Sequence, residues 1–273
     1  MIEAARDSRV SPRTWMGIFL DIVTLFALSA VIYIALVLIA FLAEIPIEGW
    51  SVMGDRVAWC YEVIQQGHAD LLVQRLLIGR PLSPVTPHVK YGFLLVSMLW
   101  PEISGVAAVC ALARLRAGIN WRDALAWHRW SVRKSGLIFI ILLVVALAFN
   151  FGLGLLTSPS GQGSGETLPP IGLAYVLIDA FESIVLAAFM EELVIRGWLY
   201  TALRAKLSAW STIIITALLF SGAHLGLSVG WALSVLPLGL AAGYLRERTG
   251  SVKATITFHI LHNCVAYGAS LLH

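Results

Sequence analysis

Apolar positions in this chain fall into long unbroken runs rather than into the short alternations of soluble helices and strands. The runs cover residues 16–42, 91–113, 135–156, 171–204, 210–227, 230–245 and 252–272. A helix needs about 20 apolar residues to cross the roughly 30 Å hydrocarbon core, so each run predicts a membrane helix. The pattern predicts an all-α, polytopic transmembrane helix bundle of about seven to eight helices. The uncertain count lies in residues 44–90, a mixed stretch holding Glu44, Glu48, Asp55, Arg56, Asp70, Arg75, Arg80 and Pro81. Within it, Asp70 to Ile78 is amphipathic and suits the membrane surface or a re-entrant segment. The first run has Asp21 near its start, and the second encloses Pro101 and Glu102.

Between the runs lie polar connections of different character. Residues 114–134 are strongly basic and carry Trp121, Trp127 and Trp130, as an interfacial segment does. Residues 157–170 form a Gly/Ser/Pro loop without Lys or Arg, and a turn spans Arg246 to Ser251. The division expected is 1–169, N-terminal helices with the basic loop, and 170–273, a helical core, within one integral membrane domain.

Composition agrees with the pattern. The 273 residues are 59% hydrophobic and only 13% charged, with a mean hydropathy of +0.83; soluble domains carry about 25% charge. No basic stripe with interleaved aromatics suggests nucleic acid. Cys60, Cys110 and Cys264 stand far apart, so neither a disulfide framework nor a thiolate metal site is indicated. Arg6, Arg9 and Arg13 precede a run too long for a signal-peptide core, which therefore reads as a retained first span. The net charge of +3 is small, but its placement is not even. If all seven runs cross, one side holds the N-terminus, residues 114–134, 196–208 and 246–253, and with them 15 of the 19 Lys and Arg. The positive-inside bias then predicts a cell-membrane protein with a cytoplasmic N-terminus and an extracytoplasmic C-terminus.

Against this apolar background, Glu191, Glu192, Arg196, His224, His259, His262 and Asn263 stand out. An ionisable group at the centre of a membrane helix costs about 2.5–3.5 kcal/mol by insertion scales and marks a functional site by default. Glu192 and Arg196 are four apart and share a helix face, while Glu191 projects about 100° away from Glu192. His259 and Asn263, and Phe220 and His224, are likewise four apart. At 1.5 Å per residue, Glu191 lies about 20 Å from Arg204, His224 about 21 Å from Trp210 and His259 about 12 Å from Ser251. Three helices can thus bring polar groups into one buried layer.

These residues also spell three motifs in order. Glu191-Glu192-Leu-Val-Ile-Arg196 matches E-E-x-x-x-R, Phe220-Ser-Gly-Ala-His224 matches F-x-x-x-H, and His259-Ile-Leu-His-Asn263 matches H-x-x-x-N. Residues 170–273 thereby resemble the CPBP family, the CAAX-protease and bacteriocin-processing (Abi) proteins; residues 1–169 carry no motif of that kind. The resemblance implies an intramembrane endopeptidase that hydrolyses a peptide bond with a glutamate-activated water. It makes Glu191 the general base and His224 the group that shares and orients the water. His259 and Asn263 become oxyanion donors, Arg196 holds Glu192, and Phe220 is supporting. No cofactor is expected; zinc held by Glu191, His224 and His259 is the alternative, weakened by the absence of H-E-x-x-H and by an Asn in the set. The expected partners are membrane lipid and a peptide or lipidated protein substrate.

Other readings stand beside these. Glu192–Arg196 also reads as a structural ion pair, and His262, one residue before Asn263, as packing or interfacial. Asp179 and Glu182 read as solvated near the outer edge, and Glu102 as hydrated beside a Pro101 kink. Gly226-Leu-Ser-Val-Gly230 spells the serine elbow G-x-S-x-G but lies at the end of a membrane helix, not in a strand–turn–helix. Gly239 and Gly243 read as a close-packing seam. Two other functional classes compete: a non-catalytic membrane scaffold or bacteriocin self-immunity protein of the same fold, and a proton-coupled transporter. The transporter predicts inverted repeats, which the sequence lacks.

Overall fold

The computed structural model describes residues 14–36, 38–39, 65, 90–157, 173–226 and 228–271. The N-terminal arginines, nearly all of 44–90 with the amphipathic stretch 70–78, and most of the 157–170 loop lie outside the described residues. Among those described there is no strand. The long helices are α1 (Trp15–Leu36), α2 (Lys90–Ala117), α3 (Val132–Thr157), α4 (173–204), α5 (Ala209–Ala223), α6 (Val229–Thr249) and α7 (Val252–Ser270); a 3-10 turn (Gly118–Asn120) and a one-turn helix (Trp121–Ala124) follow α2. α4 is continuous but composite: two π-helical stretches, Glu182–Leu186 and Leu193–Leu199, flank the regular segment Ala187–Glu192.

α1, α6 and the 132–153 part of α3 are long and apolar enough to cross a membrane. α1 and α3 turn large apolar side chains outward, Phe26 being 72% and Leu137 76% exposed. Water would not tolerate such a surface; acyl chains solvate it. The all-α membrane bundle is therefore the fold.

Two apolar clusters hold it together. In one, Ile18 and Leu25 of α1 and Val109 and Leu112 of α2 meet Leu193 and Leu199 of α4 and Ile256 of α7. In the other, Phe139 and Ala146 of α3 meet Phe220 of α5, Leu238 and Ala242 of α6 and Phe258 of α7. α6 lies inside, packed on α3, α5 and α7. Its Gly239 and Gly243 form the expected seam. A Cβ on Gly239 would stand 3.2 Å from the Ala217 Cα, and one on Gly243 would stand 3.1 Å from Ile213. α1 is pinned to α2 by the buried Asp21 carboxylate, 2.7 Å from the Arg116 guanidinium, and by a Ser29–Ser104 hydroxyl contact of 3.1 Å.

Caps, rather than hydropathy, set the helix ends. Ser208, Ser228 and Ser251 accept hydrogen bonds from the backbone N–H groups of Ser211, Trp231 and Lys253 at the starts of α5, α6 and α7. Ser228 is thus a helix cap, which accounts for the serine in G-x-S-x-G. α5 stops at Ala223, short of the expected 227, and places His224 in the turn that ends it. α6 continues past the expected 245 to Thr249, so Arg246 is helical and buried instead of lying in a loop. The turn itself contracts to Gly250–Ser251, with Gly250 left-handed at φ 65°.

The basic segment after α2 is also more than a surface loop. Trp127 meets Phe189 edge-on, and Trp130 stacks on Phe139 at 5.4 Å. The Ala126 carbonyl accepts from the Val252 N–H at 3.0 Å, and the Ser251 hydroxyl donates to the His128 carbonyl. This segment therefore braces the start of α7.

Candidate active site

The regular segment of α4 between its π-helical stretches carries Glu191 and Glu192 on two different faces. Glu192 is fully buried, and one of its oxygens accepts from the Arg196 guanidinium at 3.0 Å, one turn on. The same oxygen lies 3.1 Å from Nδ1 of His259 on α7. Arg196, also fully buried, donates onward to the Gly239 carbonyl of α6 at 2.9 Å. Its guanidinium sits 4.7 Å above the Phe220 ring.

Glu191 faces the other way, toward two imidazoles. Its carboxylate oxygens stand 3.9 Å from Nε2 of His224 and 3.7 Å from Nε2 of His259. Phe220 packs against both rings, at 5.0 Å from His224 and 5.6 Å from His259. The carboxyl of Glu102 on α2 comes against Glu182 and within electrostatic reach of Glu191, so Glu102 does more than hydrate a kink. Asp179 accepts from the Tyr267 hydroxyl at 2.7 Å and is tied to α7.

Hydrogen-bond chemistry fixes the tautomers. His224 Nδ1 is 2.9 Å from the Phe220 carbonyl oxygen, which can only accept, so that nitrogen carries the proton. His259 Nδ1 faces the Glu192 carboxylate and must likewise donate. In the neutral rings both Nε2 atoms are therefore acceptors, and both point at the Glu191 carboxyl. Three acceptors around one small space bind a hydrogen-bond donor: a water molecule, a shared proton, or both.

Among the described residues no group of three or more His, Cys, Asp or Glu side chains is disposed to hold a metal ion.

Asn263, one turn beyond His259, donates from Nδ2 to the Ser183 carbonyl at 3.0 Å. Ser183 belongs to the first π-helical stretch of α4. The second stretch is gripped similarly: Arg246 Nε donates to the Arg196 carbonyl at 3.0 Å, and Arg246 Nη2 reaches the Thr201 hydroxyl at 3.2 Å. π-turns recur at functional sites. Here both are held by side chains from α6 and α7.

Glu191, Glu192, Arg196, Phe220, His224 and His259 thus form one connected cluster, and Asn263 lies one turn beyond His259 on α7. Sequence reasoning missed Arg246, read as a loop charge, and the Ser183 carbonyl, which as backbone has no signal in the sequence.

Three ordered motifs now meet in one cluster, and one family model covers all of them. Residues 173–265 match the family model described as type II CAAX prenyl endopeptidase Rce1-like. This segment is similar to the Rce1-like family. The resemblance read from the motifs holds over the part of the chain where they lie. The Rce1-like segment runs from the start of α4 to within a few residues of the end of α7, so it contains the whole site. No curated protein and no solved structure matches the chain.

Proposed function

We propose that this protein is an intramembrane endopeptidase that hydrolyses a peptide bond of a membrane-associated peptide or lipidated protein, using Glu191 to activate water. The observation that carries the reading is the convergence of the Glu191 carboxylate with two Nε2 atoms at 3.7 Å and 3.9 Å, on helices otherwise made to meet lipid. A structural ion pair alone does not account for it, because Arg196 already neutralises Glu192.

In the first step a water oxygen bonds the scissile carbonyl carbon and its proton passes to Glu191, while the C=O pair moves onto oxygen. In the second, the C–N bond breaks and Glu191 returns the proton to the leaving amine. His224 Nε2 accepts the second water hydrogen and orients the attack. Asn263 donates to the oxyanion. His259 joins it only as an imidazolium, because its Nδ1–H is engaged by Glu192 and its Nε2 needs a proton of its own before it donates. Glu192, Arg196 and Phe220 act by fixing the helices. The protein sits in the cell membrane with its N-terminus cytoplasmic and its C-terminus outside, so substrate enters from the cytoplasmic side or the inner leaflet.

The test is a cleavage assay with purified protein and membrane peptides, prenylated and unprenylated, with and without chelator. Glu191→Gln and His224→Ala each lower the rate at least a hundredfold while the melting temperature in detergent holds, and chelator changes nothing. Full activity in Glu191→Gln sinks the mechanism. A cellular phenotype that survives Glu191→Gln points instead to a non-catalytic scaffold.

A further inference from the structure

Next to the proposed oxyanion donor lies a histidine that the three motifs do not use. His262 is 2% exposed, so it is neither interfacial nor in contact with lipid. Its Nδ1 lies 3.4 Å from the Asn263 side-chain oxygen, and its Nε2 is buried with no hydrogen-bond partner. We propose that His262 is a positioning residue that clamps the Asn263 amide between its own ring and the Ser183 carbonyl, leaving one N–H of Asn263 free to meet the oxyanion. The proposal rests on the peptidase reading for its catalytic consequence, and on geometry alone for the clamp.

The geometry is self-consistent in its hydrogens. The Ser183 carbonyl only accepts, so the amide nitrogen of Asn263 faces it. That turns the amide oxygen to His262, and an amide oxygen also only accepts. His262 Nδ1 therefore carries the proton, and Nε2 is a bare lone pair. Buried lone pairs are left unpaired more often than buried N–H groups, so this tautomer suits the unpartnered nitrogen as well. With both ends of the amide fixed, the Asn263 side chain cannot flip, and its second N–H has one direction.

A residue present only for packing would be at least as stable with an apolar ring. Burying an imidazole nitrogen without a partner carries a cost that phenylalanine removes. His262→Phe is therefore expected to keep or raise the melting temperature while lowering kcat about tenfold with KM unchanged. Removing the donor itself, in Asn263→Ala, costs a hundredfold or more. His262→Asn puts an amide N–H close to where Nδ1 stood and restores kcat to within threefold.

A second readout needs no substrate. In protein labelled with 15N-histidine and 15N-asparagine in nanodiscs, the His262 signals, identified by their loss in His262→Phe, show a protonated Nδ1 and an unprotonated Nε2. The Asn263 side-chain amide signals shift in His262→Phe and return in His262→Asn. An Nε2–H tautomer, or amide signals that do not move, overturns the clamp. His262→Phe cleaving within twofold of the wild type overturns its catalytic role. Loss of the peptidase reading itself looks different: the wild type cleaves nothing or Glu191→Gln stays active, and the labelled spectra still decide whether His262 holds Asn263.

Discussion

Glu192 and Arg196 are both fully buried and joined at 3.0 Å, so each exists as a charge only because the other does. Removing one partner leaves the other unpaired in low dielectric, which typically costs about 3–5 kcal/mol, whereas replacing both with apolar groups of similar size is often neutral. Arg196→Met should therefore lower unfolding stability in detergent by about 3–5 kcal/mol. The double variant Glu192→Leu/Arg196→Met should recover most of it yet remain inactive, because His259 and the Gly239 carbonyl lose their partner. Equal losses in the single and double variants would show that the pair is not a coupled unit. At this scale the sequence was informative where an ionisable side chain interrupts an apolar run at helical spacing, as Glu191, His224 and His259 do. It was silent where the functional atom is a carbonyl, as at Ser183. It misled at Arg246, because a charge near a helix end reads as solvated whether or not a neighbouring helix covers it.

The hydrophobic runs predicted every long helix among the described residues, because a lipid-facing helix must be apolar along its length; the short Trp121–Ala124 helix in the basic segment was not predicted. The ends of the long helices are another matter. Ser208, Ser228 and Gly250 stop or start helices through single hydrogen bonds and one left-handed residue, which hydropathy does not register. The π-stretches of α4 have no periodic signature either; their carbonyls accept from Asn263 and Arg246 of other helices. Helix contact is more legible, since glycines four apart mark a seam. A Cβ on Gly239 would stand 3.2 Å from the α5 backbone at Ala217 and 3.2 Å from the Phe220 ring, so an added methyl must displace the helix that positions His224. Gly239→Ala is expected to destabilise by about 1–3 kcal/mol, as overpacking does, and to lower cleavage. Gly268 is also helical, but a Cβ there meets nothing within 4 Å. Gly268→Ala should be neutral or stabilising by up to about 1 kcal/mol from helix propensity. Thermal melts of the two variants check the contrast, and equal shifts would show that the α5–α6 seam has slack.

For the molecule as a whole, sidedness rests on charge placement, and the fold alters the count without reversing it. Arg196 and Arg246 were assigned to cytoplasmic loops by sequence, yet both are buried in the bundle and say nothing about topology. The basic residues of 114–134 keep the bias, with Arg122, Arg129, Arg133 and Lys134 all exposed. α5 is the doubtful span: its 15 residues reach only about 22 Å at 1.5 Å per residue, short of the roughly 30 Å hydrocarbon core. That shortfall does not affect the argument, because α5 and the 21-residue α6 form a hairpin. Whether its tip emerges or stops within the bilayer, the chain returns to the side it left. Residues 119 and 271 must then lie on opposite sides if α3, α4 and α7 each cross. Ile119 is 95% and Leu271 62% exposed, so both suit labelling. In a chain whose three cysteines are replaced by serine, Leu271→Cys in intact cells should react with a membrane-impermeant maleimide. Ile119→Cys should react only after permeabilisation, and Gly226→Cys then reports whether the hairpin tip reaches the outer surface. Labelling of 119 and 271 from the same side would remove one crossing and, with it, the cytoplasmic entry assigned to the substrate.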